Sequence, residues 1–203
     1  MCHDSAIRAR LITGKVLAAI CEPYFDRMYG HYCSHMNTPY RLEDAAHPGA
    51  WRTKNVVCLA HPVGHLYYTE GARLHRDYFI NALRLLYPAA RQSLWTGMPS
   101  GGRVSLVYQP QKRRYCAHLL YGPPMLRGRC QVIEDLVPLY DVPVRLRVPE
   151  KVVRVWLPLS RRRLKWQKSG GRVVVTVPVV KCHEVMVFEY NENRNHADSQ
   201  RFV

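Results

Sequence analysis

From Arg103 to Tyr190 no segment shows the three-to-four-residue apolar spacing of an amphipathic helix. What recurs instead is short β-branched or aromatic runs: Arg103 to Gln109, Arg114 to Tyr121, Pro143 to Val148, Lys151 to Leu157, Arg163 to Lys168, Arg172 to Val177 and Glu184 to Tyr190. Gly, Pro and polar pairs separate them. Val144, Leu146 and Val148 alternate with Arg145 and Arg147, the pattern of a strand with one buried and one solvated face. Ser169-Gly170-Gly171 joins two runs as a tight hairpin, because glycine adopts the positive φ such turns require. Strands this short and this densely spaced imply an antiparallel β-sandwich over 98–190.

The chain has a different character before residue 98. Lys15 to Ile20 and Asn55 to Ala60 (NVVCLA) are short apolar strands, and Ser5 to Thr13 is a short helical candidate. Between Ala72 and Tyr87, Leu74, Tyr78, Ala82 and Leu85, widened by Phe79, Leu83 and Leu86, form one apolar helix face opposite Arg73, Arg76, Asp77 and Arg84, and Pro88 ends the helix. Strands alternating with helices predict an α/β layer with a mostly parallel sheet over 1–97, with Ser93 to Thr96 as a further strand. The tail from Asn191 to Val203 is expected to be disordered. The fold class is therefore α/β plus all-β.

Met1-Cys2-His3-Asp4 opens no signal peptide, and the longest aliphatic run, Val173 to Val180, is far below the roughly 20 residues that cross a bilayer. A cytoplasmic protein without membrane partners is expected. Seven cysteines without a repeated short spacing point to reduced thiols and not to a disulfide framework.

The 30 Lys and Arg against 15 Asp and Glu give a net charge of +15, of which +11 lies after Gly97. Arg161-Arg162-Arg163 with Lys165 and Lys168 is the densest cluster. One reading is a basic nucleic-acid-binding protein, since Trp156 and Trp166 lie near these charges. No motif of an RNA- or DNA-binding module is present, and a solvated basic face is the reading preferred, so a nucleic-acid partner is not expected.

The most unusual stretch, Pro23 to Pro39 (PYFDRMYGHYCSHMNTP), lies directly after a strand and has neither helical nor strand period. Long loops rich in side-chain chemistry are seldom mere connections, although a structural role for its His and Tyr is the alternative. His31-x-Cys33-x-His35, even with His61 and His65 nearby, lacks the spacing of a zinc site, so no metal is expected. A self-contained hydrolase would need two converging carboxyl groups, for which Glu22 and Asp26 are the best placed. There is no P-loop, no Gly-x-Gly-x-x-Gly after a strand and no Gly-x-Ser-x-Gly, and no cofactor is expected.

Five runs carry a resemblance: PYFDRMYGHYCSHMNTPY, NVVCLAHPVGHLYYTEGARLHRDYFINALRLLYP, RYCAHLLYGPPMLRG, VIEDLVPLYDVPVRLRVPEKVVRVWLPL and GRVVVTVPVVKCHEVMVFEY. Over about residues 14 to 190 the chain resembles the C-terminal half of a group of bacterial glycoside hydrolases related to the β-galactosidases that carry a trimerisation domain. In that group a catalytic (β/α) barrel precedes a flavodoxin-like α/β domain and a β-sandwich. The resemblance implies a partial flavodoxin-like domain over 1–97 and a non-catalytic chain, inactive alone, that supports a barrel none of its own segments matches. It also implies a homo-oligomer or a barrel-bearing partner as the route to carbohydrate, whether the chain is a separate half or part of a broken gene. Tyr24, Asp26, Arg27, His31, His35 and Tyr40 are the residues expected to line a neighbouring sugar site, with rings on the apolar sugar face and polar groups on hydroxyls.

Overall fold

The computed structural model describes residues 5–34, 38–41, 43 and 47–191. The chain divides into two compact units, Met1–Arg91 and Gln92–Val203. The expected disordered tail falls, from residue 192 onward, outside the described residues.

In the first unit β1 (Lys15–Ala19), β2 (Pro48–Thr53) and β3 (Val56–Leu59) form a sheet in that order, followed by α1 (Val63–Glu70) and α2 (Arg73–Leu86). Strands and helices are both present, as expected, but both strand pairs are antiparallel and not parallel. The reason is local. β2 and β3 are joined by Lys54-Asn55, with Lys54 at φ 51°, and a two-residue turn can only reverse the chain, whereas a parallel pair needs a crossover of about a dozen residues or more. The helix expected at Ser5 to Thr13 does not form over the described residues. The Ile7 N–H instead donates to the Ala60 carbonyl at 2.9 Å, and so short a helix is marginal without packing. α1 had no period to announce it. Only Val63 and Leu66 are buried, and Gly71 ends it in the left-handed conformation, its N–H on the Tyr67 carbonyl.

The second unit is an antiparallel β-sandwich. Its strands are β4 (Leu94–Thr96), β5 (Arg103–Gln109), β6 (Arg114–Leu120), β7 (Met125–Arg127), β8 (Cys130–Val132), β9 (Leu139–Leu146), β10 (Lys151–Leu157), β11 (Arg162–Arg163), β12 (Trp166–Ser169), β13 (Arg172–Val180) and β14 (His183–Asn191). One sheet has the order β11-β10-β14-β6-β5, the other β12-β13-β9-β4, and β7 with β8 makes a separate hairpin. β4 is the strand expected at Ser93 to Thr96, but it pairs with β9 of the sandwich, Leu94 opposite Leu146, and not with the first unit's sheet. The run from Arg163 to Lys168, expected to be one strand, is split between β11 and β12. Leu164 turns into the core between them, its N–H on the Val155 carbonyl, so the chain passes from one sheet to the other. The glycine hairpin forms as expected: Ser169 pairs with Arg172, and Gly170 and Gly171 have φ of 55° and 73°, the double positive φ of a type I′ turn.

The alternation read from the sequence now has a physical partner. Val144 and Leu146 of β9, Val175 and Val177 of β13, and Met186 and Phe188 of β14 belong to one buried cluster, while Arg145 and Arg147 are exposed. The Arg145 guanidinium lies over the Trp95 ring, 4.7 Å from its centroid. At one margin of the core Tyr108, Tyr115 and Tyr190 gather, and the buried Tyr115 donates its hydroxyl to the two oxygens of Glu150 at 3.1 and 2.9 Å.

Two outcomes follow. Phe188→Ala removes the largest fully buried side chain and is expected to lower unfolding free energy by about 3–5 kcal/mol, read as a fall in the urea midpoint. Burial, then the hydrogen bond and negative charge of Glu150, push the Tyr115 phenol well above its ordinary value. An unfolded tyrosine ionises near pH 10, where Tyr115 keeps its proton, so the folded state binds more protons and stability is lost as pH rises above about 10. Urea titrations between pH 9 and 11 should show a steeper loss in the wild type than in Tyr115→Phe.

Candidate functional site

The loop between β1 and β2 carries the residues expected to meet a sugar. Its base closes where the Tyr24 N–H donates to the Pro39 carbonyl at 3.0 Å and the Arg41 N–H to the Glu22 carbonyl at 2.9 Å, with Pro23 and Tyr40 bridged. Farther out, the Thr38 hydroxyl donates to the Phe25 carbonyl at 3.1 Å, and Thr38 is buried. The tip is a tight reversal in which Met28 and His31 exchange both backbone hydrogen bonds around Tyr29-Gly30. The His31 ring stacks on Phe25, 3.8 Å between centroids and 9° between planes.

This reversal brings Phe25, Asp26, Arg27 and His31 into one short hairpin, whose far side is an open hollow walled by Arg27, Met28, Tyr29 and Tyr32. Tyr24, Asp26, Arg27 and His31 are exposed, Tyr40 is half-buried at the base, and Tyr29 is 100% exposed. His35 lies outside the described residues. Tyr29, Tyr32 and Phe25 were not singled out from the sequence, although they are aromatic residues of the same run. Glu22 accepts from Arg8 at 3.4 Å at the base of the loop, while Asp26 is out on the hairpin. Among the described residues no group of three His, Cys, Asp or Glu is placed to hold a metal ion, and no disulfide joins the described cysteines.

A second surface in the first unit is apolar. α2 has the period expected of it, but the two flanks of its apolar face are uncovered, with Leu74 72% and Phe79 51% exposed and Leu83 and Leu85 exposed as well, while Tyr78, Ala82 and Leu86 between them are half-buried. α2 packs on α1 and β3, and three short strands are too small a layer to cover a helix of this length. Val57 and Leu59 of β3, Pro62 and Val63 of α1, and Phe79 and Leu83 of α2 wall an apolar cleft of about 390 Å³. No described helix is long and apolar enough to cross a membrane.

No protein-family model matches the chain, and no curated protein matches it. A solved structure does: α-L-fucosidase isoenzyme 2 from Paenibacillus thiaminolyticus superposes with a TM-score of 0.83 at 35% sequence identity. The match covers 92% of this chain and 28% of the fucosidase chain. The chain is thus similar, over nearly its whole length, to a minor part of a glycoside hydrolase.

Proposed function

We propose that this chain is an accessory portion of a glycoside hydrolase of the α-L-fucosidase kind, with the hydrolytic centre carried by a part outside these 203 residues. The observation that carries the reading is the disproportion of the match: 92% of this chain corresponds to 28% of the fucosidase. The exposed apolar side chains of α2 support it independently, because covering Phe79 and Leu83 beside the α1–β3 cleft, or Leu74 and Leu85 on the other flank of the helix, would remove apolar surface from water. In this reading the catalytic part covers the exposed apolar side chains of α2. The hairpin then lines the neighbouring sugar site. Tyr24 and Tyr29 offer rings to the apolar sugar face, while Asp26, Arg27 and His31 offer donors and acceptors to hydroxyls, with His35 and Tyr40 following them in sequence. A β-galactosidase-like substrate is the second reading, favoured by the five sequence runs quoted above.

The purified chain is expected to release no nitrophenol from 4-nitrophenyl α-L-fucoside or β-galactoside. Mixed with the Paenibacillus fucosidase lacking the 28% that matches this chain, it is expected to form a complex and restore hydrolysis of the fucoside. The substitutions Phe79→Glu and Leu83→Glu, on an exposed face, should weaken that complex about tenfold or more, the scale of losing two buried side chains at an interface. Preference for the galactoside would select the second reading. Hydrolysis by the chain alone, abolished by Glu22→Gln or Asp26→Asn, would replace both with a self-contained hydrolase. Self-association lost in the α2 variant, with no complex formed, would assign the face to a homo-oligomer.

A further inference from the structure

The outer face of the five-stranded sheet ends in a basic corner that the proposed accessory role does not use. A row of paired residues crosses that face: Val107 of β5, Cys116 of β6, Val187 of β14, Trp156 of β10 and Arg163 of β11. Cys116 and Val187 are buried, Trp156 is half-buried, and Arg163 is exposed. Where the row ends, Arg154, Trp156, Pro158, Arg161 and Arg163 wall an open cleft of about 420 Å³.

The charge of this cleft is unbalanced. Glu189 is its acidic neighbour, accepting from Arg154 at 2.6 Å and from the Trp156 indole N–H at 3.0 Å, so it holds those two side chains in place. Arg154 lies over the Trp156 ring, 5.0 Å from its centroid. Arg161 and Arg163 have no carboxylate within 4 Å among the described residues, in contrast to Arg8, Arg73, Arg76, Arg127 and Arg154, which all do. Arg161 is further held at φ 52° in the tight turn between β10 and β11, its N–H on the Pro158 carbonyl. On the other side of β11, Arg162, Arg163 and Lys165 line a second groove, in which Asp141 is the acidic residue. Two grooves thus share the β11 ridge, and their cations outnumber their carboxylates.

Guanidinium groups set around a cleft recognise oxyanions through paired N–H donors. Nucleic acid held without sequence preference uses in addition a series of open rings on which successive bases stack, whereas this cleft has the single Trp156 ring with Arg154 over one face. We infer that the β10–β11 corner binds the sulfate or carboxylate groups of an anionic polysaccharide, with Arg161 and Arg163 as the principal contacts and Arg154 held beside them by Glu189. The choice of a polysaccharide over another polyanion rests on the glycoside-hydrolase reading given above. The oxyanion chemistry rests on the cleft alone.

Titration of the full chain with dextran sulfate, polygalacturonate, uncharged dextran and a single-stranded oligonucleotide tests this. Binding of dextran sulfate or polygalacturonate, whichever is tighter naming the oxyanion, is expected, with none of uncharged dextran. The double variant Arg161→Asn and Arg163→Gln, chosen because asparagine accepts the positive φ and both side chains are exposed, should lose about tenfold or more in affinity. Lys112→Gln with Lys181→Gln removes the same charge elsewhere on the unit and should lose less than about twofold. Equal losses in the two double variants would overturn the inference by reducing it to net charge, and so would tighter binding of the oligonucleotide or no binding of either anionic polymer. A chain that binds dextran sulfate but forms no complex with the truncated fucosidase keeps this site and loses the accessory role.

Discussion

The contact between the two sheets of the second unit is the interaction on which the other features of that unit depend. Met186 and Phe188 of β14, Val144 and Leu146 of β9, and Val175 and Val177 of β13 are all 2% exposed or less, and they form one cluster with Ala117, Leu119, Val155 and Leu157. Burying such side chains is worth roughly 1.5–3 kcal/mol each against leaving them in water, far more than any exposed ion pair in the chain. Because successive strand residues point to opposite faces, the inward set determines the outward one. Phe188 and Tyr190 inside put Glu189 outside, and Val155 and Leu157 inside put Trp156 outside, where Glu189 receives its indole N–H. The basic corner is in this sense a by-product of core register, given meaning by which residues occupy the outward positions.

Among the described residues the first unit has no comparable interior. Its buried apolar residues are few, among them Ile20, Ala50, Ala60, Val63 and Leu66, and α2 leaves Leu74, Phe79, Leu83 and Leu85 exposed. The α2 face has a burial requirement that three antiparallel strands do not meet. This is why the accessory role proposed for the chain rests on α2 as much as on the likeness to a fucosidase, and why the hairpin between β1 and β2 has to be considered with whatever lies beside it.

Much of the second unit was legible because its signals are local. Strands β5 and β10 begin and end where β-branched runs meet turn residues, and the Gly170-Gly171 hairpin follows from the φ values only glycine adopts without strain. α2 was legible from seven apolar residues at helical spacing. What escaped was set by distant partners. Nothing in Leu164 announces that it turns into the core and breaks one strand into two, and nothing in Ser93 to Thr96 says that β4 pairs with Leu146 and its neighbours in β9. In the candidate site the chemistry of the loop was visible, but the Phe25 and His31 stack and the exposure of Tyr29 depend on a reversal closed by Met28 and His31.

The sequence by itself determined the division between a helix-bearing first part and an all-β second part, the inward and outward sets of the strand from Val144 to Val148, the helix of α2 and the location of the basic cluster. Periodicity and turn chemistry act over a few residues, so one chain suffices to read them. Only the tertiary structure decided that the first sheet is antiparallel, that the flanks of α2 stay exposed, and that Arg161 and Arg163 converge with Arg154 on one cleft. Pairing, cover and convergence are relations between segments far apart in sequence, and the apolar pattern of a strand or helix specifies that a partner is needed without specifying which one.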